Sequence, residues 1–290
     1  MHPAPSIIVF TALSGLGFGL LAFLGLGFPD VSGFTAFVFF VVAYALAVGG
    51  LVASTFHLGH KERAIKAFRE WRSSWLSREG WAAVAALIVM AIYGAGVVFA
   101  DTRLGIVGVL GSALSIATVF ATSMIYTQLK SVPRWYHWTT PVLFLAFAFS
   151  GGALLSGQVT AALIGLVVVA VLQIWVWIDG DKRLERSGST MASATGLVGR
   201  GKVESFEPPH TGGNYLLHEM VYVVARKHAR VLRVFAIGLT SAIPVIFLLL
   251  PFSHVWAGIA VLAHIAGVFV ARWLFFAEAE HVVGLYYGKR

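Results

Sequence analysis

The chain has 290 residues, of which 58% are hydrophobic and 12% are charged. A water-soluble domain of this size cannot bury that much apolar surface, so the composition predicts a multi-span membrane protein. A net charge of +8 in a soluble protein would indicate nucleic-acid binding. Here the basic residues lie in the connections between apolar runs, where membrane topology and contact with anionic lipid headgroups account for them. We therefore predict lipid contact and no nucleic-acid partner.

The chain contains no cysteine. It therefore has no disulfide, no thiolate-bound zinc and no cysteine-ligated iron–sulfur cluster of its own. If electrons pass through this protein, their carrier is a quinone, a haem or a cofactor of a partner protein.

Eight apolar runs are long enough to cross about 30 Å of hydrocarbon. Their continuous rather than alternating hydrophobicity favours helices over a β-barrel. We therefore predict an all-α bundle of about eight transmembrane helices, with residues 1–290 forming a single integral membrane domain. The runs cover residues 7–28, 34–56, 81–100, 104–128, 138–156, 160–178, 232–251 and 254–277.

The connections between these runs alternate in charge. Those at 29–33, 101–103, 157–159 and 252–253 are short and nearly uncharged, whereas every other connection is basic. Because basic loops stay in the cytoplasm, this alternation predicts an even number of spans with both termini cytoplasmic. The basic connections carry Lys61, Arg63, Lys66, Arg69, Arg72 and Arg78, then Lys130 and Arg134, then the segment 179–231, and finally Lys289 and Arg290.

The segment 179–231 is the longest connection. Its first half is rich in Gly, Ser and Thr and is expected to be irregular, whereas the part from about Asn214 is expected to be helical. Connections of this length are usually functional or disordered. Two interpretations stay open, a solvated loop ending in a basic helix and a docking surface for a cytoplasmic partner.

The connection 57–80, "HLGHKERAIKAFREWRSSWLSREG", combines histidines, basic residues, acids and tryptophans. A short helix over 63–75 would lie in the membrane interface. The spacing allows His57, at the end of span two, and Glu79, at the start of span three, to face each other as a protonatable pair. Alternatively, Glu79 is a first-turn acid favoured by the helix dipole and His57 is a capping residue.

The next basic connection contains "SVPRWYHWTTP", residues 131–141. Arg134, Trp135, Tyr136 and His137 supply a cation, hydrogen-bond donors and ring faces in consecutive positions. This mixture suits recognition of a flat, carbonyl-bearing ring. It also suits an ordinary membrane-interface loop, since tryptophan and tyrosine are enriched there.

The last span carries ionisable residues. Arg272 lies within it, and ionisable groups at membrane depth are costly and mark functional sites. Glu278 and His281 are one helical turn apart and are expected to share a hydrogen bond. His264 lies deepest and is expected to hydrogen-bond a neighbouring helix. The predicted topology places this group on the same side as the connections 57–80 and 131–141.

The motifs of these connections resemble a known family. "FHLG" (56–59), "RA" (63–64) and "LSREG" (76–80), together with "VPRWYHWTTP" (132–141) and "ARWLFFAEAEHVVG" (271–284), resemble the dimethyl sulfoxide reductase membrane-anchor family. The resemblance covers spans two to five and span eight, and the eight-span count agrees with it.

This resemblance implies the third subunit of a bacterial inner-membrane oxidoreductase. The partners would be a catalytic subunit with a molybdenum bis-pterin cofactor (a molybdopterin subunit) and a ferredoxin-like iron–sulfur subunit with 4Fe–4S clusters. The anchor would exchange electrons with ubiquinone or menaquinone, and its "HLG" histidine and "LS-x-E" acid, here His57 and Glu79, are implied in quinone binding and proton transfer. Less defined roles fall to Arg63, Arg134, Trp135, Tyr136, Arg272 and His281.

The segment 179–231 resembles the anchors of cytoplasm-facing sulfite:quinone oxidoreductases, which implies electron flow from sulfite to quinone. Three alternatives stay open. The first is the anchor of a dimethyl sulfoxide or related reductase, which runs electrons from quinol to the clusters. The second is a haem b subunit, and the third is a small-solute transporter. The candidate haem ligands are His57, His60, His218 and His281.

Overall fold

The structure is a computed structural model. It describes residues 1–56, 61–207, 212–221 and 224–287, without the side chains of 61–64 and 224–225. Within these ranges the chain is helical and contains no strand, which confirms the all-α prediction.

Eight membrane helices follow one another along the chain. Seven are long and apolar enough to cross a membrane, and the fifth has 17 residues, so the prediction of about eight spans is confirmed. The predicted and observed ends differ by a few residues, most at the third and seventh helices, each of which begins six residues earlier than predicted. The helices are α1 (Pro5–Gly25), α2 (Gly33–Thr55), α3 (Trp75–Phe99), α4 (Gly105–Thr127), α5 (Thr139–Leu155), α6 (Val159–Gly180), α7 (Arg226–Leu249) and α8 (His254–Ala277).

Helix α1 is the central helix, and it packs against α2, α4 and α5. Small residues make this close approach possible, as is common between membrane helices. Gly17 lies against the backbone of α2 at Ala47, and Gly19 lies against the backbone of α5 at Ala148. A side chain at either glycine would collide with main-chain atoms, which cannot move aside.

Helix α7 is not a regular α-helix. After a 3₁₀ turn, it consists of the α-helix Ala229–Ile237, the π-helical turn Gly238–Ala242 and the α-helix Ile243–Leu249. Such π turns widen the helix locally and frequently mark functional positions. Here the turn places Thr240 against Gly267 of α8 and within hydrogen-bond distance of Gln173 on α6.

One end of the bundle collects the connections that carry most of the basic residues, and we call it the basic face. At this face α2, α4, α6 and α8 end and α3, α5 and α7 begin. A 3₁₀ helix, Lys61–Phe68, leans on the start of α3, where Trp81 Nε1 donates to the carbonyl oxygen of Phe68 at 3.0 Å. The segment after α6 forms three short helices, Arg183–Arg186, Met191–Thr195 and Leu216–Met220.

We predict that Gly19→Ala lowers the free energy of unfolding by about 1–3 kcal/mol, because the added methyl group overpacks the contact between α1 and α5. Gly15→Ala, four residues earlier on the same helix, is the matched control, since open space surrounds Gly15. Thermal unfolding of both variants in the same detergent measures the difference. Equal melting temperatures would contradict this view of α1.

Candidate functional site at the basic face

Glu79 lies in the second turn of α3 and is 3% exposed. Ser74 caps the helix, so the turn that carries Glu79 belongs to the span rather than to the preceding connection. The hydroxyl of Thr122 on α4 donates to Glu79 Oε1 at 2.5 Å. No basic side chain in the described ranges forms an ion pair with Glu79, so this carboxyl group is held inside the bundle by a hydroxyl and by the positive end of the helix dipole.

The predicted partner of Glu79 and two further candidate side chains lie outside what the structure describes. His57 and His60 are not among the described residues, and the side chain of Arg63 is not described either. The pairing of His57 with Glu79 therefore stays a prediction.

Arg134 belongs to an ion-pair network of four residues. Its guanidinium group contacts Asp181, at the end of α6, and Glu278 Oε2 at 3.4 Å, just after α8. Arg233 on α7 contacts the same two carboxylates, Glu278 Oε1 at 2.6 Å and Asp181 Oδ1 at 2.6 Å. We call Arg134, Asp181, Arg233 and Glu278 the ion-pair network; it ties four chain segments together at the basic face.

The network sets the ionisation of Asp181. Partial burial opposes the charged form, but the hydrogen bonds from Arg233 and Arg134 outweigh burial and lower the pKa of Asp181 below its ordinary value. The stability that this carboxylate contributes is therefore present above its ordinary pKa and is lost as the pH falls through the lowered one.

Trp135 and Tyr136 differ sharply in their surroundings. Trp135 is 2% exposed, its ring stacks on Phe275 with centroids 5.2 Å apart, and its Nε1 donates to the carbonyl oxygen of Phe275 at 3.0 Å. Tyr136 is 50% exposed and lies under the ammonium group of Lys130. Trp135 thus attaches the connection to α8, whereas Tyr136 is accessible at the basic face.

His137, the fourth residue of this motif, faces Arg183. Its Nδ1 lies 2.9 Å from an Arg183 nitrogen, and because a guanidinium can only donate, Nδ1 is the acceptor. Burial and the positive charge of Arg183 both lower the pKa of His137.

Arg272 is 2% exposed within α8 and has no carboxylate partner in the described part of the chain. Its guanidinium group lies over the ring of Phe144, 3.6 Å from the centroid, and Phe147 lies 5.1 Å away. These cation–π contacts offset part of the cost of burying the charge. The Nε of Arg272 is buried and makes no hydrogen bond.

A cavity of about 30 Å³ lies beside Arg272, between α5, α6 and α8. The ion-pair network contributes Arg134 and Glu278 to its wall, and α6 contributes Gln173. The Nε2 of Gln173 donates to Thr240, whereas its Oε1 is buried without a partner. The wall of the cavity is therefore largely apolar but contains several polar groups.

Tyr126 at the end of α4 is a residue that the sequence analysis missed. Its ring lies within an aromatic cluster with Trp135, Phe144, Phe275 and Phe276, at centroid distances of 5.3 to 5.9 Å. A tyrosine near the end of an apolar span looks like a member of the interfacial aromatic belt, so the sequence offered no signal. The same holds for Asp181 and Arg233, whose partners lie far away in sequence.

Two expectations for α8 have different outcomes. The predicted hydrogen bond between Glu278 and His281 is wrong, because α8 ends at Ala277 and the two residues do not lie on successive helical turns. Glu278 instead contacts the two arginines of the network, and His281 Nδ1 accepts from the Val283 N–H group at 3.0 Å. The predicted interhelical bond of His264 is confirmed, since its Nδ1 donates to the Thr240 carbonyl oxygen at 2.7 Å.

The remaining candidate ligand, His218, lies exposed on the helix Leu216–Met220. Among the described residues, no group of three or more His, Asp or Glu side chains has a metal-binding arrangement.

The eight-helix fold, with acid–base side chains gathered at one end, defines a multi-span membrane protein built around a polar basic face. Residues 1–278 match the family model described as DMSO reductase anchor subunit (DmsC), and the chain belongs to this family. It is therefore a membrane-anchor subunit of an oxidoreductase, and such an anchor implies catalytic and iron–sulfur partner subunits.

A curated relative is similar along the whole chain. It is a subunit of the sulfite dehydrogenase of Allochromatium vinosum, and it is 32% identical over 333 aligned positions, covering 99% of each protein. No solved structure gives a significant match.

We predict that Glu278→Gln lowers the free energy of unfolding by about 1–3 kcal/mol, because two arginines lose a charged acceptor at a buried position. Glu204→Gln is the control, since Glu204 pairs with Lys202 at an exposed site and such pairs contribute little. Thermal unfolding in detergent compares the variants. A melting temperature equal to that of the control would mean that the network does not stabilise the basic face.

Proposed function

We propose that this protein is the quinone-reactive membrane anchor of a molybdenum and iron–sulfur oxidoreductase, and that it passes electrons from sulfite oxidation to the quinone pool. The observation that carries the proposal is the similarity to a sulfite dehydrogenase subunit along 99% of both chains. The absence of cysteine adds that iron–sulfur clusters belong to the partner subunits.

The basic face is the side on which these partners dock. It carries the segment 179–231, whose helix Arg183–Arg186 contacts α6 and whose helix Leu216–Met220 contacts the 3₁₀ helix Val282–Tyr287. It also carries most of the basic residues of the chain. The positive-inside rule assigns this face to the cytoplasm. A ferredoxin-like subunit bound there would place its clusters close to Glu79.

The contacts of the candidate residues favour some of them over others as quinone ligands. The side chains of Arg134 and Trp135 are held by internal contacts, and Arg272 lies among aromatic rings inside the bundle. Glu79 has no such ionic partner among the described residues. We therefore place the quinone site at the start of α3, where Glu79 and the predicted His57 would contact the quinone. Arg134, Trp135 and Arg272 are not part of this proposed contact.

Reduction of a quinone consumes two electrons and two protons. Glu79 is suited to hold one of these protons, because its carboxyl group is buried and its contact is a hydroxyl rather than a cation. Tyr136 is suited to contact a ring or a partner at the surface, since half of it is exposed. Arg134 and Trp135 act indirectly, by fixing the connection that carries Tyr136.

The experiment is an assay of the intact complex with Glu79→Gln. We expect sulfite-dependent quinone reduction to fall about 10² to 10⁴-fold, the usual contribution of a proton-transferring side chain. Sulfite oxidation with an artificial acceptor that draws electrons from the clusters should remain. The control is Glu70→Gln, an exposed acid in the connection before α3.

Two outcomes would contradict the proposal. Normal quinone reduction by Glu79→Gln would remove Glu79 from the site. A wild-type complex that ignores sulfite but oxidises quinol with dimethyl sulfoxide would support the reductase direction, which the family description favours.

A further inference from the structure

A proton-donating role for Glu79 requires a route by which protons reach its buried carboxyl group. At 3% exposure it has no direct contact with bulk water, yet a group that delivers protons has to be reprotonated after every turnover. Its neighbour Thr122 lies one helical turn before Tyr126 on α4, and side chains four residues apart share one face of a helix. Thr122 and Tyr126 thus place two hydroxyl-bearing side chains on one face of α4.

Tyr126 and Arg272 flank the same phenyl ring. The ring of Tyr126 lies 5.9 Å from that of Phe144, and the guanidinium group of Arg272 lies over Phe144 at 3.6 Å. Together with Glu79 and Thr122, these two residues form a line of polar groups from α3 through α4 to α8.

Several polar atoms on or beside this line make no hydrogen bond in the described part of the chain. Tyr126 is 8% exposed, and its hydroxyl makes no hydrogen bond within the described ranges. The same is true of Arg272 Nε and Gln173 Oε1, both buried at the cavity. Buried polar atoms are nearly always satisfied, so unpartnered ones gathered at a cavity point to ordered water.

The cavity is large enough for this water. Its volume of about 30 Å³ fits roughly two water molecules, each of which needs 10–15 Å³. A water there can accept from Arg272 Nε and donate to Gln173 Oε1. The wall also contains Glu278 of the ion-pair network, whose members Asp181 and Arg233 are partly exposed at the basic face.

We infer that a buried, hydrated route leads from the ion-pair network through this cavity, past Arg272 and Tyr126, to Thr122 and Glu79, and that it carries protons to Glu79. The inference rests on the proposed function for the use made of the protons. It adds a relay residue, Tyr126, a water site at Gln173 and the side from which the protons come.

Each transfer in this route breaks one O–H bond and forms another. Thr122 gives its proton to Glu79 Oε1 and receives one from Tyr126. Tyr126 receives a proton from water beside Arg272, and this water regains one through the cavity from the aqueous side at the basic face. Arg272 stays charged throughout. Its positive charge stabilises the transient negative charge on the phenol side, so protons move towards Glu79 while no hydronium ion has to pass the arginine.

The activity test is Tyr126→Phe in the intact complex. This variant keeps the aromatic ring and removes only a hydroxyl without a partner, so the melting temperature should not change. We expect quinone reduction to slow about 10-fold or more and its solvent deuterium isotope effect to increase, with artificial-acceptor activity unaffected. Tyr44→Phe is the control, because its hydroxyl bonds Leu87 on α3 away from the route. An unchanged rate and isotope effect would overturn the role of Tyr126.

The water test does not depend on quinone. Since the chain is free of cysteine, Val176→Cys at the cavity wall introduces a unique thiol into this subunit. We expect silver ions added at the basic face of membrane vesicles to block later maleimide labelling of this thiol, as read by mass spectrometry of the subunit. Val169→Cys, buried in an apolar cluster of the same helix, should stay unblocked.

The two tests distinguish a failure of the hydrated route from a failure of the proposed function. An unblocked Val176→Cys would overturn the hydrated route, whatever the complex does with quinone. A blocked thiol in a complex that does not reduce quinone would keep the water site and overturn the proposed function that uses it.

Discussion

Two carboxylates shared by two arginines hold the basic face together. Asp181 follows α6, Glu278 follows α8, Arg233 belongs to α7, and Arg134 stands in the connection between α4 and α5. The helices of the second half of the bundle pack along their lengths, and these ion pairs add a connection between their ends. Arg134 and Glu278 also line the cavity beside Arg272, so the network fixes part of the cavity wall.

In a membrane protein, polar side chains inside the spans indicate where contacts or function require them. In hydrocarbon an unsatisfied polar atom costs more than at a wet surface, so polar side chains in spans are retained where they bind, relay or pair. His264 and Thr240 form such a pair between α8 and α7. Arg272 is different, because aromatic rings and a cavity surround its charge in place of a carboxylate.

The sequence was sufficient for the architecture because the hydrophobic signal is local. Eight apolar runs predicted the helices to within a few residues, and Arg272 and Glu79 stood out as ionisable groups in or beside spans. The residues that the sequence analysis missed are those whose role depends on contacts between distant parts of the chain. In the sequence, Asp181 and Arg233 look like ordinary charges at the ends of membrane spans, because their contact depends on the packing of α6 beside α7. The expected pairing of Glu278 with His281 assumed that α8 continues to residue 281, whereas it ends at Ala277.

The π-helical turn of α7 links the middle of the membrane to its edge. A π turn holds one residue more than an α turn, so Gly238–Ala242 takes up an extra residue while the helix before and after it keeps nearly the same rotation. Arg233 on one side of the turn therefore still faces Asp181 and Glu278 at the basic face. Within the turn, the carbonyl oxygen of Thr240 accepts a hydrogen bond from His264 of α8. The extra residue thus adds a polar contact at mid-membrane depth without turning Arg233 away from its carboxylates.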